Sequence, residues 1–356
     1  MFERIGGEGS GEKGYEQVVF CQDAHSGLRA IIAVHSTVLG PALGGTRFHP
    51  YEQEDDALED VLRLARQMTY KSAAAGLDLG GGKAVVLGDP ALLRSEALWE
   101  SYARFVDSLG GRYITAEDVG TTEADMDLIR GWTSHVTGGS VSHGGSGDPS
   151  VATAVGVLRA MEAVAVRLWG TASLVGRRVV VSGVGKVGSD LARRLRQAGA
   201  RISISDVRAG VSVALAAELG ADVVHPDKAH ATECDIFSPC ALGGALSPAT
   251  IAELRCAAVV GSANNQLTDL SCPALLAEAG VLYAPDYIVN AGGVVNIADE
   301  LHGYDRERAH AAVDRIFDTT TRVLEAARSQ GITTLEAADR LAEERLAAAG
   351  PTRLLV

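Results

Sequence analysis

Between Asp55 and Met68 the apolar residues Ala57, Leu58, Val61, Leu62, Leu64, Ala65 and Met68 recur at helical spacing. That period predicts an amphipathic helix with one buried stripe, and it leaves Lys71 just past the helix end. The pattern returns over Ser95–Leu109, where Leu98, Trp99, Tyr102, Phe105 and Val106 form the stripe. Ahead of the first helix, Glu16–Gln22 and Leu28–His35 read as two strands joined by the turn residues Asp-Ala-His-Ser-Gly. A short strand, Arg112–Thr115, then presents Asp118 from the loop at its C-terminal end.

The stretch Gly138–Pro149 is rich in glycine and serine and reads as a hinge or active-site loop. Beyond it, strand and helix signals alternate. The candidate strands are Arg178–Ser182, Arg201–Ser205, Asp222–His225, Asp235–Ser238, Ala257–Gly261 and Val281–Ala284, with helices over Lys186–Gln197 and Val211–Leu219. Such alternation predicts a parallel, doubly wound sheet. After Asn296 the chain turns helical, and a last helix over Thr334–Ala349 is expected to pack back on the first domain. The expected fold class is therefore α/β with two domains separated by a cleft. Residues 1–140 plus 338–356 would form an α/β substrate and oligomerisation domain, and 141–337 a Rossmann-type dinucleotide domain.

A chain of 356 residues is long enough for two domains. Its net charge of −13 argues against nucleic acid, which favours a basic surface. No apolar run reaches the length of a membrane span. Met1–Lys13 is polar and glycine-rich and lacks a signal-peptide core, so a cytoplasmic protein is expected. The five cysteines are scattered without a Cys-x-x-Cys pair and read as reduced, mostly buried residues. The nine histidines show no metal-ligand spacing.

Gly183-Val184-Gly185-Lys186-Val187-Gly188 follows the apolar run Val179–Val181 and opens a predicted helix. Glycines there permit a tight turn and bring backbone N–H groups to a pyrophosphate at the helix N-terminus. Asp206, at the end of the next strand, can bond ribose hydroxyls and repel a 2′-phosphate, which favours NAD over NADP; Arg208, two residues on, opposes that preference. Gly80-Gly81-Gly82-Lys83 fails as a phosphate-binding P-loop, because Leu77 and Ala84 stand where glycine and a hydroxyl residue are required. Its glycines instead suggest close approach of a substrate. Apolar neighbours on both sides indicate that Lys83 is drawn inward, where burial and the second ammonium of Lys71 would lower its pKa and make it a usable base. Asp118 reads equally well as a proton-transfer group or as a cap on the following helix. Cys240 has no histidine nearby in sequence to activate it as a nucleophile. His143 reads as a loop residue.

Several motifs occur in one order: Gly40-Pro41-Ala42-Leu43-Gly44-Gly45-Thr46-Arg47, Met68-Thr69-Tyr70-Lys71, Gly80–Lys83, Thr115-Ala116-Glu117-Asp118-Val119-Gly120, Asn264-Asn265-Gln266, and Ala284-Pro285-Asp286-Tyr287 with Asn290-Ala291-Gly292-Gly293-Val294. Over roughly residues 15–345 the chain resembles the Glu/Leu/Phe/Val dehydrogenase superfamily, most closely its bacterial branched-chain members. The resemblance implies NAD-dependent, reversible oxidative deamination of an L-amino acid to a 2-oxo acid and ammonium, by a homo-oligomer between dimer and octamer. It implies that Lys71 and the Gly44–Gly45 backbone hold the substrate carboxylate, that Lys83 activates water, and that Asp118 shuttles protons. Asn265 and Asn290 would lie at the substrate and nicotinamide-ribose side, with Thr153 at the nicotinamide amide. The cofactor set is completed by Gly183, Gly185, Lys186, Val187, Gly188, Asp206, Val207, Cys240 and Ala241.

The side-chain pocket implied by the resemblance maps to Leu43, Ala116, Val294 and Ile297, all apolar. Glutamate-specific relatives carry lysine at the position of Leu43 and serine at that of Ile297. A second carboxylate buried here without a partner would cost several kcal/mol. The expected substrates are valine, leucine and isoleucine, with phenylalanine as an alternative. A shikimate-dehydrogenase-like alcohol oxidoreductase also joins a lysine–aspartate pair to a Rossmann domain, but would need no ammonia. A non-catalytic NAD sensor would have no use for Lys71, Lys83 and Asp118 together.

Overall fold

The computed structural model describes residues 14–350, so the polar start Met1–Lys13, and any leader reading based on it, lies outside the described residues. The chain divides into two compact units. One comprises Met1–Asp148, Ile297–Arg306 and Ala342–Val356; the other comprises Pro149–Asn296 and Glu307–Leu341. The expected break at 140/141 thus falls at Asp148/Pro149, and a segment around Glu300 joins the first unit.

The reason lies in Glu300, whose nearly inaccessible carboxylate accepts from the Gly138 N–H (3.0 Å), the Ser146 N–H (2.8 Å) and the Ser146 hydroxyl (2.6 Å). Arg130 closes the cluster at 3.3 Å. These bonds tie the glycine-rich stretch to the first unit. The C-terminal helix Thr334–Ala348 also ends there, because Arg345 donates to the Ala73 carbonyl (3.0 Å) and pairs with Asp78 (2.7 Å).

The first unit is built on a five-stranded sheet ordered β1-β2-β4-β3-β5, comprising β1 (Gln17–Asp23), β2 (Leu28–Ser36), β3 (Ala42–His49), β4 (Gly80–Leu87) and β5 (Tyr113–Glu117). The β1–β2 and β2–β4 pairs are antiparallel, while β3 runs parallel to both β4 and β5. One face carries Ala42, Phe48, Val86 and Tyr113 and packs on Trp99 and Tyr102 of helix Glu96–Asp107 and on Met126 and Ile129 of helix Glu123–Arg130. The opposite face carries Ile31, Ala33 and Val85 and packs on Ala57, Leu58, Val61, Leu62 and Ala65 of α1 (Glu54–Ala74). By strand alternation Leu43, Gly45, Arg47, Lys83 and Ala116 share this second face.

Strands β3 and β4 have no counterpart among the sequence expectations, since five glycines dilute their apolar signal. Those glycines are needed for packing. A Cβ on Gly44 would lie 1.7 Å from the Gly82 carbonyl oxygen, one on Gly80 1.8 Å from the Ser36 oxygen, and one on Gly81 2.0 Å from the Thr69 nitrogen. The chain itself, by backbone at Gly80 and Gly81 and by the Tyr113 ring at Gly82, therefore fills the side-chain space at these glycines. Helix α1 also runs further than periodicity indicated, because nothing between Thr69 and Ala74 breaks it before Gly76 at φ +78°. Lys71 consequently sits in the last helical turn rather than beyond it.

The second unit carries a six-stranded parallel sheet ordered β11-β10-β9-β6-β7-β8, with β6 Arg178–Ser182, β7 Arg201–Ser205, β8 Asp222–Val223, β9 Ile236–Pro239, β10 Ala258–Val259 and β11 Leu282–Tyr283. This is the doubly wound order, reversing direction between β6 and β9. The expected strands are present; β9 is shifted by one residue, and β8, β10 and β11 are shortened to the two residues that make ladder pairs. Among the described residues no helix is long and apolar enough to cross a membrane.

Candidate active site

In the first unit, the central observation is a charge cluster on the α1 face of the sheet. Lys83, midway along β4, is 5% exposed. Its Nζ lies 3.2 Å from Asp118 Oδ2. Burial lowers the Lys83 pKa below its ordinary value, the Asp118 carboxylate raises it again, and the Arg47 guanidinium lowers it further; the net direction is down. For Asp118 burial pushes up, but Lys83 and Arg47 together outweigh it and hold the carboxyl below the usual range. A cation acting on Lys83 in this way is Arg47, a residue that the sequence did not single out.

Asp118 directly follows β5. It does not cap the next helix: Thr122 does so, in a reciprocal capping box with Asp125. The Thr121 hydroxyl instead accepts from the Asp118 N–H at 2.8 Å and donates to the Thr46 carbonyl at 3.0 Å, fixing the turn that aims the carboxylate. Gly45 has to be glycine for the same reason, since a Cβ there would lie 2.9 Å from the Asp118 Cβ. Beside the pair, Leu43 and Ala116 are fully buried apolar residues on neighbouring strands.

In the second unit, the loops after β6 and β9 meet at the point where strand order reverses. A Cβ on Gly183, whose φ is +99°, would lie 2.6 Å from the Ala241 nitrogen, and one on Gly188 would lie 2.0 Å from the Gly183 oxygen. A Cβ on Gly185 meets nothing within 4 Å. The helix Lys186–Gln197 begins at Gly185 with no side-chain cap. A tight turn, an open loop face and uncapped N–H groups fit a dinucleotide pyrophosphate. Lys186 and Val187 open that helix, Cys240 and Ala241 lie in the loop after β9, and Cys240 has the Ser238 hydroxyl 3.4 Å away rather than an activating histidine.

Asp206 directly follows β7, with its carboxylate almost inaccessible. It accepts from the Val184 N–H (2.9 Å) and from the N–H (2.9 Å) and Nε (3.0 Å) of Arg208, and these bonds, led by the Arg208 side chain, lower its pKa to about 2. The side chain of Arg208 itself is 60% exposed. Val207, between them, is exposed as well.

Asn265 has φ +52°, the sole positive value for a non-glycine among the described residues, and such backbone conformations concentrate at functional sites. Nearby, the Asn290 amide donates to the Ser262 carbonyl (3.1 Å) and to Asn264 Oδ1 (2.7 Å), while its own Oδ1 is buried and has no partner among the described residues. A buried acceptor of this kind fits a ligand hydroxyl or amide. Thr153 lies in the first turn of helix Ser150–Trp169, with its hydroxyl donating to the Pro149 carbonyl. Val294 and Ile297 are one turn apart on helix Gly292–Ala298. His143 is exposed and faces Asp127 at 3.2 Å.

Sequence reasoning missed Arg47 and Asp60 as site residues. Arg47 Nε donates to Asp118 Oδ2 at 3.0 Å and its Nη1 to Asp60 Oδ2 at 2.8 Å. An arginine placed two residues after the paired glycines, on a buried strand face, was the available signal.

Two family models match this chain: the Glu/Leu/Phe/Val dehydrogenase dimerisation domain over residues 15–135, and the Glutamate/Leucine/Phenylalanine/Valine dehydrogenase domain over 144–214 and 210–353. A leucine dehydrogenase of Geobacillus stearothermophilus is 53% identical over 93% of this chain and 90% of that protein. A valine dehydrogenase of Streptomyces coelicolor is 50% identical over 96% and 95%, respectively. Among solved structures, L-tryptophan dehydrogenase from Nostoc punctiforme is similar with a TM-score of 0.82 at 41% identity, covering 95% of this chain and 97% of that one. With both halves matched in order and half of the residues shared with full-length relatives, the chain belongs to the Glu/Leu/Phe/Val dehydrogenase family.

Proposed function

We propose that the protein catalyses the reversible oxidative deamination of branched-chain L-amino acids: amino acid, NAD and water give the 2-oxo acid, ammonium, NADH and a proton. The observation that carries this reading is the buried Lys83–Asp118 pair, 3.2 Å apart, on the same sheet face as the apolar Leu43 and Ala116, in a chain of the amino acid dehydrogenase family.

The assigned roles follow from the chemistry of these groups. The ammonium of Lys71 and the backbone at Gly44–Gly45 hold the substrate α-carboxylate. Asp118, kept ionised by its two cationic neighbours, receives a proton from the substrate amino group. NAD, held by the Gly183–Gly188 loop, would supply the hydride acceptor that lets the substrate α-carbon be oxidised to the imine level. Lys83, shifted toward its neutral amine by burial, takes a proton from the water that attacks the imine carbon. Asp118 then returns a proton to the departing nitrogen. In the first unit, the buried apolar Leu43 and Ala116 suit an aliphatic side chain and give a second carboxylate no compensation, and we assign Val294 and Ile297 to the same selectivity.

The Gly183–Gly188 loop, Asp206 and the unpaired Asn290 oxygen support NAD as the cofactor. An exposed guanidinium fastened to Asp206 tempers the repulsion of a 2′-phosphate, so the preference for NAD should be real but finite. The oligomerisation unit of the family model supports a homo-oligomer, and the amino acid chemistry a cytoplasmic enzyme.

The test is the reductive direction. NADH oxidation with 2-oxoisovalerate should require ammonium and saturate with it. Ammonium-independent NADH oxidation would favour the alcohol oxidoreductase reading.

A further inference from the structure

The groups around Lys83 form a chain rather than a pair. The Tyr51 hydroxyl donates to Asp60 Oδ2 at 2.7 Å, Arg47 Nη1 donates to the same oxygen at 2.8 Å, Arg47 Nε reaches Asp118 Oδ2 at 3.0 Å, and Lys83 Nζ lies 3.2 Å from that oxygen. Arg63 holds the other Asp60 oxygen at 2.7 Å. Two carboxylates and two internal cations thus alternate along one sheet face, anchored on α1. The side chains of Arg47, Asp60 and Asp118 are all about four-fifths buried.

We propose that Arg47 is a positioning residue of the deamination reaction: anchored by Asp60 and Tyr51, it shares one oxygen of Asp118 with Lys83 and so fixes both the direction of that carboxylate and the charge balance at the lysine. The inference rests on the roles proposed above for Lys83 and Asp118. Arginine suits this task better than lysine, because its planar fork spans two carboxylates at once.

The electrostatic sign is definite. Lys83 faces Asp118 beyond β5, Arg47 on β3 and, one step further, Asp60 on α1. Lys71 lies in the last turn of α1, and His35 on β2 bonds Thr69 of α1 at 2.8 Å. Behind the network stand Tyr51 and Arg63 beside Asp60, and Tyr113, which feels the Asp118 charge. Arg47 favours the neutral amine of Lys83, whereas Asp118 and Asp60 favour the ammonium. Removing Arg47 should therefore raise the proton affinity of Lys83, and removing the charge of Asp60 should lower it. Cation and lysine touch a common oxygen, so at an effective dielectric near 20 the Arg47 effect should be on the order of one pH unit or more; Asp60, further away, should act by less.

The experiment measures kcat/KM for valine against pH for the wild type, Arg47→Met, Arg47→Lys and Asp60→Asn, with thermal melts to verify folding. The rising limb attributed to Lys83 should move to higher pH by about one unit in Arg47→Met and to lower pH in Asp60→Asn. Arg47→Lys should restore most of the shift but little of kcat, since a point charge cannot bridge both carboxylates. General misfolding cannot move the limb in opposite directions. A limb that stays within 0.2 units, a marker of about the fitting error, or moves the same way in both variants would overturn the proposal.

A second readout does not depend on turnover. The chain has five lysines, Lys13, Lys71, Lys83, Lys186 and Lys228, so isotope-labelled lysine side chains can be assigned by substitution and titrated directly. If wild type fails to deaminate branched-chain amino acids, the function reading falls while this titration still judges the network. If wild type deaminates them and the Lys83 titration is unmoved by Arg47→Met, the role of Arg47 falls alone.

Discussion

Replacing Asp118 by asparagine keeps the side-chain shape and removes one charge from the middle of the cluster. In the folded protein it would leave Lys83, 5% exposed, and Arg47 facing a neutral amide. Breaking a buried ion pair costs about 3–5 kcal/mol, and here Lys83 can shed its proton, which sets the expected loss near the lower figure. At about 2–4 °C per kcal/mol, the first unfolding transition should fall by roughly 6–12 °C at pH 7. The pH dependence is a sharper test. The folded-state pKa of Asp118 is depressed, so its contribution is present above the unfolded value near about 3.9 and is lost as pH falls through the folded value. The stability gap between wild type and Asp118→Asn should be full at pH 7 and shrink on acidification below about pH 4. Urea unfolding followed by tryptophan fluorescence, at one protein concentration, reads this directly. A gap under about 1 kcal/mol at pH 7, or one that does not shrink in acid, would refute the assigned electrostatics.

Further expectations concern the substrate and the cofactor. Lys71→Ala should raise the KM for amino acid at least tenfold, the scale of about 1.5–3 kcal/mol for a charged hydrogen bond, and leave the KM for NAD in place; a changed KM for NAD alone would put this lysine in a different subsite. Arg208→Ala should widen the preference for NAD over NADP, because it uncovers the Asp206 carboxylate, and Asp206→Ala should narrow it; cofactor kinetics on both variants decide whether the pair acts as described. Ile297→Ala should move preference toward leucine and phenylalanine by about 1–3 kcal/mol, and Leu43→Lys should begin to admit glutamate; kcat/KM ratios across these substrates provide the measurement.

The second unit was largely legible in the sequence, because its strands are short apolar runs between amphipathic helices and two of them, β6 and β7, begin and end where expected. Its glycine loop announces itself by spacing. The first unit was harder to read. Strands β3 and β4 carry the paired glycines and Lys83, and their identity as strands depends on tight backbone packing against Thr69, Ser36 and Tyr113 that no local pattern reveals. The inward turn of Lys83 could be argued from its apolar neighbours. Its actual partners could not: Arg47, Asp60 and Asp118 come from three separate segments that only the sheet brings together. Likewise Glu300 gives no sequence signal of its role in holding Gly138 and Ser146, which is why the boundary between units lies later than glycine content alone suggested.

The most direct test of the central claim is NADH formation from valine, leucine, isoleucine, phenylalanine and glutamate at equal concentration, by wild type and by Lys83→Ala. The three branched-chain amino acids should be oxidised fastest, with ammonium released in equal amount. Glutamate should be essentially inert, and Lys83→Ala should lose at least ~10²-fold in turnover while still binding NAD. Glutamate or phenylalanine oxidised faster than valine and leucine, or near wild-type turnover by Lys83→Ala, would contradict it.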